Sequence, residues 1–234
     1  MNEDFKKFFR SRSPYHMSSL NDYARITNSG GLSPMILEER KMNVLGLDIF
    51  SRLLLDRTVW FGTQVDSETA NILMAELLYL DSLEETPITL IIASPGGECN
   101  SGLGIYDTLQ GLNSETHSLC PSLAASFGAV LLAACDKRSA LEHASIMVHE
   151  PRIMGHGITG RATDIEIEAI ELKKTKETLT SILAKHSNKT YEEMWEICKL
   201  DTWLTPQEAL EYGLIDEVIK NKDRSKLRWK PENS

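Results

Sequence analysis

Serine, histidine and aspartate can divide the work of a hydrolase: a hydroxyl attacks, an imidazole takes its proton, and a carboxylate orients the imidazole. Ser126 stands among Ala124, Ala125, Gly128 and Ala129. Small neighbours leave room for a substrate atom beside the hydroxyl. The apolar helix expected to begin here turns free N–H groups toward developing negative charge. His149 ends the apolar run SIMVH, and Asp201 precedes TWLT. Gly96-Gly97, in the loop SPGGECNSG, lets backbone approach a ligand closely and expose an N–H. Together these residues could supply a nucleophile, a base, an orienting group and an oxyanion hole. Each also has a structural reading: Ser126 and Asp201 as helix caps, His149 as a satisfied core histidine. The order Ser126…His149…Asp201 is none of the three familiar hydrolase orders, so spacing alone leaves both readings open.

Other motifs fail. There is no GxxxxGK[ST], Asp107 stands where a GxGxxG would need its third glycine, and His149-Glu150 is not followed by x-x-His. Ser126 lies in AASFG rather than GxSxG.

The elements that must hold these residues can be read from periodicity and punctuation. DIFSRLLL (48–55) predicts a short helix capped by Asp48, and TVWFG (58–62) a strand. A buried helix is predicted from 66 to 83, with Ser67-x-x-Ala70 as its cap and no reciprocal Glu. PITLIIA (87–93) reads as a strand covered on both faces. Helices are predicted at 103–112, 126–135, 164–186 and 191–199. Strands are predicted at 116–119, 145–149 and 214–219. Thr205-Pro206 starts a last helix, which Gly213 ends. Residues 1–36 read as an arm, 150–163 as a Gly-rich exposed loop and 220–234 as a polar tail. Alternating strands and helices predict one α/β domain.

Composition narrows the function classes. The 234 residues carry 25 Lys plus Arg against 34 Asp plus Glu, a formal charge of −9. That balance argues against general nucleic-acid binding and against anionic membranes. The four cysteines, Cys99, Cys120, Cys135 and Cys198, form no CxxC. They read as reduced thiols of a cytoplasmic protein, with secreted disulfides as the alternative. Thr116 to Cys135 carries no Asp, Glu, Lys or Arg. Its polar interruptions fit a buried core segment better than a membrane span.

Several segments, in order, resemble the ClpP family, the proteolytic subunits of ATP-dependent Clp protease. They are SRLLLDR (51–57), ASPGG (93–97), GIYDT (104–108), AASFGAVLLAA (124–134), MVHEP (147–151), ATDIEIEA (162–169) and LTPQEALEYGLIDEV (204–218). They span about four-fifths of the chain. The resemblance implies a crotonase-like β-spiral with helices, and a peptidase domain over 37–219. It also implies a handle at about 150–186, built of a β-strand and the long helix. It puts the nucleophile on Ser126, the base on His149, the orienting aspartate on Asp201, and the oxyanion amides on Gly97 and Phe127. It implies a serine endopeptidase with no metal or other cofactor in this chain. Two seven-membered rings would stack around unfolded protein substrates, which a separate AAA+ unfoldase of ClpX or ClpA/ClpC type feeds with ATP. The chain departs from the family pattern at Ala93, Phe127 and Glu150, in a longer handle loop, and at Leu200 and Thr202, where arginines usually flank the aspartate. These departures keep a weak or regulatory paralogue in view. A crotonase-type acyl-CoA enzyme is a further alternative, though near the Gly-rich loop it would find only Glu98 as an acid.

Overall fold

The apolar run at 88–92 becomes an inner strand, paired in parallel on both sides. The computed structural model describes residues 35–40, 43–153 and 159–220. Residues 1–34 of the expected arm, 221–234 of the expected tail and 154–158 of the expected handle lie outside the described residues. The chain divides at Arg52 into two compact units. In the first, β1 (Met35–Arg40) and β2 (Asn43–Asp48) pair as an antiparallel hairpin. Asp48 Oδ1 then accepts from the Phe50 and Ser51 N–H groups at the start of α1 (Ile49–Leu55).

The second unit holds two sheets. A five-stranded parallel sheet has the order β10 (Glu217–Ile219), β7 (Lys137–Leu141), β5 (Thr116–Cys120), β4 (Ile88–Ile92), β3 (Thr58–Phe61). A three-stranded sheet has the order β6 (Leu123–Ala125), β8 (Ser145–Val148), β9 (Thr202–Leu204). The helices are α2 (Ser67–Leu83), α3 (Cys99–Gly111), α4 (Phe127–Ala134), α5 (Ala162–Lys185), α6 (Tyr191–Ile197) and α7 (Pro206–Glu211). The class is α/β, as the alternation of elements predicts.

Several expectations need correction. In β4, Ile88, Leu90 and Ile92 are buried but Thr89 and Ile91 only partly so, so one face is covered more fully than the other. Asp66, not Ser67, caps α2. Its carboxylate accepts from the Glu68 and Thr69 N–H groups, and Thr69 Oγ1 accepts from the Asp66 N–H, so a threonine closes the box. Five strands fall outside the expectation: β1 and β2, of which β1 begins inside the expected arm, and β6, β7 and β9. Of the last three, two have three residues and the third opens on Lys137-Arg138, so none shows an alternating run. The glycine loop ends earlier than expected because α3 begins at Cys99. No strand lies among residues 150–153 or 159–161, where part of the handle strand was expected.

The core forms around α4, every residue of which is buried. A helix apolar on all sides has to lie inside, and each buried Leu or Val stabilises the fold by about 1.5–3 kcal/mol. The uncharged stretch 116–135 is thus β5, β6 and α4. No helix among the described residues is long and apolar enough to cross a membrane. The four cysteines are free thiols, three of them buried. Arg138 ties the C-terminal ends of α5 and α7 to the sheet by donating to His186 O at 2.6 Å, Gly213 O at 2.8 Å and Asp216 Oδ2 at 3.0 Å.

One carboxyl is misplaced for neutral pH. Glu76 Oε2 on α2 is buried with no hydrogen-bond partner among the described residues, and burial pushes the group up to about 7. Its folded value exceeds its unfolded one, so stability present at low pH is lost as pH rises through about 7. Glu76→Gln is expected to raise stability at pH 8, and with it the thermal midpoint, by on the order of 3 kcal/mol of free energy at most, and to change little at pH 5. Melting curves at the two pH values check this, and an equal effect at both counts against a buried charge.

Candidate active site

Three neighbouring strands deliver three side chains to one edge. In the small sheet, Ala125 of β6 pairs with Met147 of β8, and Val148 of β8 pairs with Thr202 of β9. One residue beyond those pairs lie Ser126 and His149, and Asp201 stands one residue before Thr202. Positions far apart in the chain become adjacent because β6, β8 and β9 are. His149 Nε2 is 2.9 Å from Ser126 Oγ, and His149 Nδ1 is 3.0 Å from Asp201 Oδ1. An ionised carboxylate only accepts, so Nδ1 carries the proton and donates to Asp201. Nε2 is then left as an acceptor for the Ser126 O–H. The His149 side chain is 8% exposed and that of Asp201 46%. The second oxygen of Asp201 faces Arg152 Nη1 at 3.5 Å.

Ser126 sits on a strained corner between β6 and α4. Its φ is 55° and ψ −123°, a region that costs a non-glycine residue about 1–3 kcal/mol. This is the strand–turn–helix geometry in which a nucleophile elbow holds its serine forward, built here without the GxSxG signature. Ser126 N–H donates to Met147 O at 2.8 Å, which pins the corner to β8. Gly128 lies so close to Ser94 that a Cβ would stand 2.6 Å from Ser94 O.

The glycine loop lies against the same corner. A Cβ on Gly96 would meet Ser126 Cβ and Phe127 N, each at 2.7 Å. Gly96 and Gly97 have φ of 82° and 155°, which favour glycine. Two bonds lash the loop to Val65, from Val65 N to Gly96 O at 2.9 Å and from Glu98 N to Val65 O at 2.8 Å. Among the described residues, no acceptor is bonded to the N–H of Gly97 or of Phe127, the first residue of α4. The Phe127 ring is buried and packs against Gly102.

A cavity of about 630 Å³ opens here, lined by Gly96, Gly97, Ser126, Met147, His149 and Arg152 among others. Its wall includes Cys99, whose thiol burial pushes above its ordinary value, as does the Glu98 charge. Among the described residues, no group of three or more His, Cys, Asp or Glu could hold a metal ion. The structure therefore brings together Ser126, His149, Asp201, Gly97 and Phe127, all five residues singled out in the sequence. Sequence reasoning missed Arg152, which reads there as part of an exposed loop.

Comparison with known proteins identifies the family. The Clp protease family model matches residues 40–222. A protein named ATP-dependent Clp protease proteolytic subunit from Bacteroides thetaiotaomicron is 47% identical over 223 residues, covering 94% of this chain and all of the relative. Its counterpart from Bacteroides fragilis is 46% identical with the same coverage. That from Porphyromonas gingivalis is 43% identical over 94% of this chain and 98% of its own. Matched by one family model over most of its length and by full-length relatives over nearly all of it, the chain belongs to the Clp protease family.

Proposed function

We propose that this chain is a serine endopeptidase, the proteolytic subunit of an ATP-dependent Clp protease that cuts unfolded proteins into short peptides. The observation that carries this reading is the hydrogen-bonded row Ser126–His149–Asp201 at the mouth of the cavity. Ser126 Oγ forms a bond to the peptide carbonyl carbon as its proton passes to His149 Nε2. The Gly97 and Phe127 N–H groups hold the oxyanion, and Asp201 stabilises the imidazolium. The C–N bond then breaks, His149 gives its proton to the departing amine, and an acyl-Ser126 remains. Water, deprotonated by His149, hydrolyses that ester and restores the hydroxyl. These steps require no metal or nucleotide in this chain.

The relatives' names support a separate ATP-using partner, here an AAA+ unfoldase of ClpX or ClpA/ClpC type. Two stacked seven-membered rings are part of this reading, and apolar side chains left on the surface support self-association of the chain. Ile165, Ile167 and Ile170 of α5 are 42–55% exposed, and Leu200 and Trp203 beside Asp201 are 78% and 58% exposed. A cytoplasmic location is part of the same reading.

Labelling with a fluorophosphonate tests the nucleophile. The wild-type chain is expected to take up one probe and Ser126→Ala none, with peptide hydrolysis lost in parallel. Equal labelling of both would remove Ser126 from the mechanism. A native mass that stays monomeric with and without the unfoldase would remove the rings.

A further inference from the structure

The pairing of His149 with Asp201 lies just past the end of a two-strand ladder. On the inner side it is held by the pairing of Val148 with Thr202. On the outer side a backbone bond closes it, from Glu150 N–H to Cys198 O at 2.7 Å. Cys198 follows α6 directly and lies three residues before Asp201. The geometry of His149 and Asp201 thus depends on how firmly Glu150 and the end of α6 are joined.

A lysine from a third element sits at that joint. Lys176, on α5, makes an ion pair with Glu150 Oε2. The same ammonium lies 3.9 Å from the centre of the Trp195 ring on α6. The Lys176 side chain is only 18% exposed, so its charge is largely removed from water and both contacts gain strength. Cys198 lies beside both charges. Its thiol is pushed up to about 11, chiefly by burial, with Glu150 also raising it and Lys176 lowering it. It therefore stays protonated at neutral pH and does not compete as a second anion for the lysine.

We propose that Lys176 is a positioning residue for the proposed hydrolysis. It clamps the residue after His149 to the helix that precedes Asp201, and so keeps imidazole and carboxylate in register. This inference rests on Ser126, His149 and Asp201 acting as the proposed mechanism has them. The long helix thereby holds the reacting groups without touching substrate. A change in the setting of α5 would be felt at the His149–Asp201 bond.

The test measures fluorophosphonate labelling rate and kcat and KM on a short fluorogenic peptide, for the full chain, with each value scaled to its folded fraction. Lys176→Met removes the charge and keeps the length of the side chain. It is expected to lower kcat and the labelling rate together by about tenfold to a hundredfold, the scale of a misplaced reacting group, with KM within about twofold. Lys176→Arg keeps the charge and stacks on indole, so it is expected to recover most of the rate. Glu150→Gln combined with Lys176→Met is expected to be no slower than Lys176→Met alone, because the two side chains act through one contact. Wild-type kcat and labelling in Lys176→Met overturn the proposal. So does a change confined to KM, which would make Lys176 a substrate contact, and so does failure of Lys176→Arg to recover rate while folded. If the wild type itself takes no label, the proposed hydrolysis has failed and not the clamp.

Discussion

Asp201→Asn is expected to lower kcat on a peptide substrate by about four orders of magnitude while leaving the fold close to wild type. The size of the loss follows from which nitrogen holds the proton. Asp201 Oδ1 accepts from His149 Nδ1 at 3.0 Å, which leaves Nε2 free to take the Ser126 proton across 2.9 Å. An asparagine amide can turn its NH₂ toward Nδ1 and donate. The imidazole would then carry its proton on Nε2, facing Ser126, and no base would remain. Asparagine also lacks the negative charge that stabilises the imidazolium. The fold should lose little, because the carboxylate is 46% exposed and its other partner is the surface guanidinium of Arg152 at 3.5 Å. Exposed pairs of that kind contribute about 0–1 kcal/mol. Steady-state kinetics with a melting curve check both halves. A kcat within tenfold of wild type would leave Asp201 without its orienting role.

The parts of this site that were legible in the sequence were those whose signal is local. Ser126 stood out because four small residues surround it, and Gly96-Gly97 because a double glycine marks an unusual backbone. Gly213 and Thr205-Pro206 mark the ends of α7 for the same kind of reason, and the structure bears them out with a φ of 73° at Gly213 and a capping box at Thr205. The convergence of Ser126, His149 and Asp201 was legible only through resemblance. It depends on β6 and β9, strands of three residues each, which are too short to show a period of two. Asp201 read as a helix cap because the strand after it was invisible, and that strand is what sets it opposite His149. Lys176 could not be found locally at all. It looks like one more charge on the wet face of a long helix, and only the packing of α5 on α6 puts it over Trp195. The strain at Ser126 is likewise a property of the β6–α4 corner, not of the residues that form it.

Gly97→Ala is expected to damage activity and stability together. The residue has φ of 155°, and an added Cβ would stand 2.0 Å from Val65 O and 2.9 Å from Val65 N. Backbone cannot swing aside as a flexible side chain can. Val65 is fully buried, and its own N–H and carbonyl are bonded to Gly96 and Glu98. It also precedes Asp66, the cap of α2. Relief must therefore come from the loop, which would lift off Val65 and carry the Gly97 N–H with it. Loss of one oxyanion donor costs about 10²–10³ in kcat. Forcing an L-residue into this conformation against backbone costs roughly 3 kcal/mol, or about 6–12 °C in midpoint for a domain of this size. Gly111→Ala is the control, since a Cβ there meets nothing within 4 Å at the end of α3. It should keep kcat and melt no lower than wild type. If Gly97→Ala kept wild-type kcat, the N–H of Gly97 would not be holding the oxyanion. If it lost kcat without a lower midpoint, the loop would have yielded freely, and its lashing to Val65 would not be what fixes that N–H in place.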